Sequence, residues 1–290
     1  MELKEMTITA KQVNELRKKT GVGMMDCKKA LTEADGDMEK AVEILRKKGA
    51  SVAVKRADRL ANEGLVVTKI SDDKKRGSIV EVNCETDFVA RSKDFVKLAD
   101  DVIDVVFRTQ PSSVDELLKK NSSLQEKISE ALGKIGEKIE ISRLVNEQAP
   151  KGVIIDYIHL GSKLGVLIKF DNVANASEEL YTLGKDIAMQ VAAMNPISIY
   201  REEIPKEIIE KEIEIYKEIA LKEGKPEQIV EKITTGKLNK FYQENCLSEQ
   251  SFIKDNSKSV NDLIKEFNIS HHTEAKISHF HRFHLGDEKK

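Results

Sequence analysis

At 290 residues, 40% of them apolar and 34% charged, the chain is long enough for two or three domains and reads as helix-rich and soluble. A formal net charge of −2 argues against a dedicated nucleic-acid binder, which would carry a basic excess, and no apolar run reaches the length of a membrane span. Cys27, Cys84 and Cys246 are odd in number, far apart and without a CxxC, a usage that fits a reducing compartment; residues 1–5 match neither a secretory signal nor a transit peptide, so a cytoplasmic location is expected.

Residues 1–55 read as three short helices. Thr9 with Gln12 forms a capping-box pattern, after which Ala10, Val13 and Leu16 share a face. Residues 20–23 break the chain, and Met24, Cys27 and Leu31 mark the second helix. Gly36-Asp37 starts a third with Ala41, Ile44 and Leu45 inward, and Gly49 is placed to end it. The pattern resembles the three-helix bundle of ubiquitin-associated (UBA) domains. So small a core is marginal alone and should lean on a neighbour. Met24 and Met25 are adjacent, so either one is buried and the other displayed, or both pack inside. Residues 1–60 carry 14 basic and 10 acidic side chains. Lys18-Lys19, Lys28-Lys29 and Arg46-Lys47-Lys48 can meet RNA phosphates, although a solvated face or a complement to an acidic protein surface is the simpler reading.

Beyond a charged link at 55–62 the texture changes. Residues 65–70 and 78–83 alternate as the strands of a β-hairpin around a polar turn. A helix with Phe95, Leu98, Val102 and Val105 follows, so the chain must turn from strand to helix within residues 83–91. There Phe88 either fills the core with Val89 while Thr86 or Asp87 caps the helix, or points outward as an anchor with Asp87 as a polar handle. Spacing alone favours the buried reading. Helical patterning resumes at Leu117, Leu118, Leu124, Ile128, Leu132 and Ile135, and residues 138–144 alternate as a further strand.

The next section repeats that design. Residues 152–160 and 165–170 form a hairpin around Gly161-Ser162, and a helix with Leu180, Leu183, Ile187 and Val191 inward stops at Asn195-Pro196. Two related halves are expected, each laying helices on one face of a small antiparallel sheet. Ile209, Ile213, Tyr216 and Ala220, spaced 4, 3 and 4, form a short seam among Glu and Lys; Gly224-Lys225-Pro226 turns the chain and Ile229, Ile233 and Phe241 mark the return. This antiparallel helical hairpin should project from a core or rest on something, with homodimerisation the rival explanation. Residues 277–285 alternate again and should add a strand to the second half. The fold class is therefore α+β: a three-helix bundle (1–55), a first α+β subdomain (56–150) and a second (151–290) that includes the hairpin at about 203–245.

Catalytic motifs are missing. The sequence holds no GxxxxGK[ST], GxGxxG after a strand, HExxH or GxSxG. Cys84 has no His near in sequence to serve as base and reads as a structural thiol. His279 and His281 would share a strand face, with His271, His272 and His284 nearby, but no Cys or carboxylate stands at partner spacing for zinc. No enzyme activity, metal or cofactor is expected; several surfaces on a charged body suggest an interaction protein.

Residues 20–31, Thr-Gly-Val-Gly-Met-Met-Asp-Cys-Lys-Lys-Ala-Leu, and 82–90, Val-Asn-Cys-Glu-Thr-Asp-Phe-Val-Ala, resemble signatures of the bacterial elongation factor Ts family. Further matches are Tyr157-Ile158-His159 with Gly165-Val166-Leu167, residues 186–196, and Lys225-Pro226 leading to Lys240-Phe241, in order across the chain. The resemblance implies a guanine-nucleotide exchange factor in translation elongation. It would bind elongation factor Tu in its GDP-bound and nucleotide-free forms, with no direct nucleic-acid or membrane contact. A homodimer of heterodimers is one assembly open to it. By matching positions, Arg17, Met24 and Met25 would touch the partner's nucleotide-binding domain, and Thr86, Asp87, Phe88 and Val89 would enter near its Mg²⁺ and phosphate site. That implication opposes the buried reading of Phe88. Gln190 departs from the pattern, which often has His there, so its partner contact is in question. The rival function is an RNA- or ribosome-binding module using the basic N-terminal face, with steep salt dependence.

Overall fold

The computed structural model describes residues 8–56 and 58–287, without the side chains of residues 50–55; the reading of residues 1–5 lies outside the described residues. The N-terminal bundle is α1 (Ala10–Thr20), α2 (Met24–Glu33) and α3 (Met38–Lys55). Thr9 and Gln12 form the reciprocal capping box, and Gly21 ends α1 in the left-handed region at φ 69°, its N–H donating to the Arg17 carbonyl. Val13, Leu16, Val22, Cys27, Ala30, Leu31, Ala41 and Leu45 form the bundle's core.

Gly49 does not end α3. The helix continues to Lys55, and Gly49 lies against α7 (Ser122–Ile135), where a Cβ would stand 2.7 Å from the Ser129 carbonyl oxygen and 3.5 Å from the Gly133 Cα. The glycine is used for a close helix crossing rather than a stop. Through this crossing, and the Arg46–Glu130 ion pair at 2.7 Å, the small bundle leans on the first subdomain.

That subdomain has a sheet in the order β1 (Glu63–Ile70), β2 (Arg76–Cys84), β3 (Ile139–Gln148), all antiparallel. Between β2 and β3 lie α4 (Asp87–Ala90), α5 (Lys93–Thr109), α6 (Val114–Lys120) and α7. The expected single helical stretch over 117–135 is two helices, broken at Asn121 (φ −129°, ψ 75°), whose carbonyl accepts the Leu124 and Gln125 N–H groups that open the second. The second sheet runs β4 (Gly152–Ile158), β5 (Leu164–Asp171), β8 (Lys276–His284). Each half therefore has the path hairpin, helices, third strand, with the second strand central. This is the α+β fold expected from the alternation.

One face of each sheet carries helices. Val80, Val82, Cys84, Ile139 and Ile141 meet Phe95, Leu98, Val102 and Leu124 in one core, and Val153, Ile155, Ile168 and Phe170 meet Leu180, Ile187, Val191 and Ile264 in the other. The opposite faces meet each other through Val66, Ile79, Ala149, Ile154, Leu167, Phe283 and Leu285. Gly77 and Gly165 let this contact close; a Cβ on Gly77 would lie 2.8 Å from Ile154, and one on Gly165 2.7 Å from Val66. This sheet-on-sheet layer explains why β2 is buried on both faces from Gly77 to Cys84. Polar groups also sit in the layer: Thr68 donates across it to Asp156 at 2.7 Å, and Arg143, paired at 2.7 Å with the buried Glu81 on the neighbouring strand of its own sheet, lies 4.2 Å over Phe283 of the opposite one.

In the second half, α8 (Glu178–Met194) is followed by α9 (Lys206–Lys222) and α10 (Glu227–Asn245), which pack on one another as an antiparallel hairpin. Ala220 is buried in the seam with Ile209, Ile213 and Tyr216 half-buried, but the returning helix presents Val230 and Thr234 rather than Ile229, which is 47% exposed. Ile233 and Phe241 are half-buried as the spacing predicts, so of the three return positions only Ile229 is displayed. A short hairpin, β6 (Ser251–Phe252) and β7 (Asp255–Ser259), and α11 (Val260–His271) complete the half. Among the described residues no helix is long and apolar enough to cross a membrane, and no cluster of three or more His, Cys, Asp or Glu is placed to hold a metal. His279 and His281 do share a face, stacked at 5.3 Å, and His281 meets Glu147 at 3.0 Å.

Candidate partner-binding site

At the end of β2 the chain has to reverse into α5, and it does so through one helical turn. Thr86 is extended at φ −128°, and its hydroxyl accepts from the Val89 N–H at 3.4 Å to start α4. After Arg91 a second cap, Ser92, takes the Phe95 N–H and starts α5. A turn this short can point only part of its surface inward. Ala90 is buried and Val89 is half-buried on the first subdomain's core. Phe88, between Asp87 and Val89, is 83% exposed. The buried reading favoured by spacing is therefore corrected: Val89 and Ala90 fill the interior, and Phe88 is displayed. Asp87 beside it pairs with Arg91 across one turn at 3.0 Å.

The turn stands on a charged base. Glu137, just beyond α7, accepts from the Thr86 N–H at 3.0 Å and from the Thr86 hydroxyl at 2.8 Å. Glu85 accepts from the Lys138 N–H at 2.6 Å, Arg56 at 2.8 Å and Arg59 at 2.9 Å. Burial alone would raise the Glu85 pKa, but the Lys138 N–H and the two guanidiniums outweigh it and hold the carboxyl at about 2. Cys84 behaves oppositely: burial first, then the nearby Glu137 charge, push its thiol up to about 12. It stays neutral and donates to the Thr86 carbonyl at 3.2 Å, as a structural thiol should.

A second displayed apolar surface lies at the α1–α2 corner. Gly23 precedes α2 with no side chain to cap it, and Met24 and Met25 are both exposed, at 51% and 65%. Neither expected arrangement holds, because Val22 and Cys27 already close the bundle core on either side of the pair. Arg17, one turn from the end of α1, is exposed at the same corner. Lys134 of α7 lies against Gly21 there and donates to Asp94 at 2.6 Å.

Residues 85–287 match the family model described as Elongation factor TS. The chain is also 47% identical over 288 residues to the elongation factor Ts of Chloroherpeton thalassium, covering 97% of this chain and 99% of that protein. The protein of the same name from Chlorobaculum parvum is 49% identical over 286 residues, 96% and 99% of the two chains. That from Clostridium botulinum (strain Alaska E43 / Type E3) is 46% identical over 286, 97% and 93%. The chain belongs to the elongation factor Ts family. It is accordingly a translation elongation factor, a protein of protein biosynthesis.

Within this elongation factor Ts fold, Gln190 is fully buried in α8. Its amide donates to the Gln250 side chain and to the Ser251 carbonyl, both at 3.1 Å, and accepts from the Ile253 N–H at 2.9 Å. It holds the β6–β7 hairpin onto α8 and presents nothing to a partner. Sequence reading also passed over Glu85, Glu137, Arg56 and Arg59. Glu137 follows Gly136, whose φ of 76° ends α7, so a helix-stop glycine followed by an acid was the available signal. α11 was missed although Ser259 and Asp262 form a capping box ahead of Val260, Ile264 and Phe267.

Proposed function

We propose that this chain is a guanine-nucleotide exchange factor for elongation factor Tu, acting in the cytoplasm on the GDP-bound form and releasing GDP so that GTP can bind. The observation that carries the reading is Phe88, a large apolar side chain 83% exposed on a braced turn. An aromatic so displayed has no folding role and suits insertion into a pocket of a second molecule. In this reading Thr86, Asp87, Phe88 and Val89 enter beside the partner's Mg²⁺ and phosphate site, while Arg17, Met24 and Met25 grip its nucleotide-binding domain. The units proposed to do this are residues 1–55, 56–150 and 151–290, and no covalent chemistry is assigned to any of them.

The physics is thermodynamic linkage. Tight nucleotide binding by such GTPases rests on Mg²⁺ and backbone groups meeting the phosphates. A factor that favours the nucleotide-free shape weakens GDP, and GDP weakens the factor equally. A coupling of about 4 kcal/mol corresponds to roughly a thousandfold, to which one desolvated aromatic anchor contributes about 2 kcal/mol or more. Phe88→Ala is therefore expected to keep its melting temperature and lower stimulated GDP release from elongation factor Tu by about thirtyfold. Stopped-flow release of fluorescent GDP measures this, and release at the unmutated rate overturns the assignment. The RNA-binding alternative draws on the basic N-terminal face, where Arg46 and Lys48 are already paired with Glu130 and Asp26.

A further inference from the structure

A single helical turn cannot fix its own direction. α4 has four residues, far below the length at which a helix is stable by itself, and its cap bond from the Val89 N–H is long at 3.4 Å. Something else must aim Phe88. Glu137 takes both donors of Thr86, the N–H at 3.0 Å and the hydroxyl at 2.8 Å. Gly136, left-handed at φ 76°, lets the chain turn at the end of α7 so that Glu137 faces back toward the tip. Its neighbour Lys138 gives its N–H to Glu85, and its ammonium group donates to the Arg59 carbonyl at 3.0 Å. Arg56 and Arg59, which follow directly on α3, close on the same Glu85. Two segments far apart in sequence, residues 56–59 and 136–138, thus converge on the two residues before Asp87, and none of their side chains is in the displayed turn.

The geometry points to Glu137 as the positioning residue of the Phe88 turn, with Glu85, Arg56 and Arg59 as its counterpart on the other side. This rests on the proposed role of that turn in nucleotide release. Held by two charge-assisted bonds, the turn is kept in one orientation before any partner arrives. Without them it samples several, and only the fraction pointing correctly can insert. Docking through Arg17, Met24 and Met25 does not depend on that fraction.

The test compares Glu137→Ala, Glu137→Gln and Phe88→Ala in the full-length protein. Glu137→Ala is expected to lower the maximal stimulated rate of GDP release by about tenfold while moving the half-saturating factor concentration less than about twofold. Amide exchange at residues 88–91 of the free protein should quicken, with the α5 interior unchanged. Glu137→Gln keeps an acceptor oxygen and should recover most of both. Wild-type release and exchange in Glu137→Ala, with Phe88→Ala impaired, overturn the positioning role alone. Phe88→Ala without effect overturns the reading of the turn and this role with it. If Glu137→Ala proves unfolded, Arg59→Ala is measured in its place, expected to show the same split between rate and half-saturation; an unchanged maximal rate there overturns the proposal.

Discussion

Glu85 has to remain ionised for the base of the Phe88 turn to hold. Its pKa of about 2 lies below the ordinary 4.5, so its bonds contribute stability that is fully present above about pH 4.5 and lost as pH falls toward 2. Between about pH 5 and pH 3, amide exchange at residues 88–91 is expected to accelerate relative to the α5 interior, after correction for intrinsic rates. In Glu85→Gln that difference should already be present at neutral pH and change little with acid. A wild-type profile flat across the window would show that Glu85 is not the acid-labile support. Glu147 is held at about 2 as well, first by His281 and, against burial, by Lys169, but it lies between the sheets and its loss acts elsewhere.

Among the secondary elements, the same residue type plays opposite roles in two helices. Gly49 in α3 faces α7, where an added Cβ meets the Ser129 carbonyl at 2.7 Å; Gly236 in α10 has nothing within 4 Å. Replacing an exposed helical Gly by Ala stabilises by up to about 1 kcal/mol, whereas forcing a methyl into a closed crossing costs about 1–3 kcal/mol. Gly236→Ala should therefore raise, and Gly49→Ala lower, the denaturant midpoint; two shifts of the same sign would contradict the crossing. These two glycines also show what was legible. Strand alternation and helical periodicity are local, so both hairpins, the repeated halves and the bundle could be read from residue order. Gly49 read as a stop, and Phe88 as core, because a sequence displays residue types without the surfaces that cross them. The supports of the turn were hidden for the same reason: Glu137 lies 51 residues beyond Thr86 and meets it only in three dimensions.

For the molecule as a whole, the two halves are joined through a layer that is apolar at its centre and ionic at specific points. Glu81 is 1% exposed and its partner is Arg143, which also donates to the His284 carbonyl at 3.0 Å. Removing one partner of a buried pair leaves a charge uncompensated and costs about 3–5 kcal/mol, while an apolar pair of similar volume is close to neutral. Arg143→Ala is expected to lose stability of that order in urea unfolding, and the double variant Glu81→Leu, Arg143→Met to recover most of it. An unaffected Arg143→Ala would mean that water reaches Glu81.

The third strand of the second sheet, β8, begins 105 residues after β5 ends. It brings Phe283 and Leu285 into the layer shared by both halves. On a ribosome, the bundle and first subdomain have every strand and helix they need well before this, whereas β5 keeps one edge bare until residues 276–284 emerge. Growth of the chain therefore imposes an order on folding, with β8 sealing the gap between halves whose other strands were made much earlier.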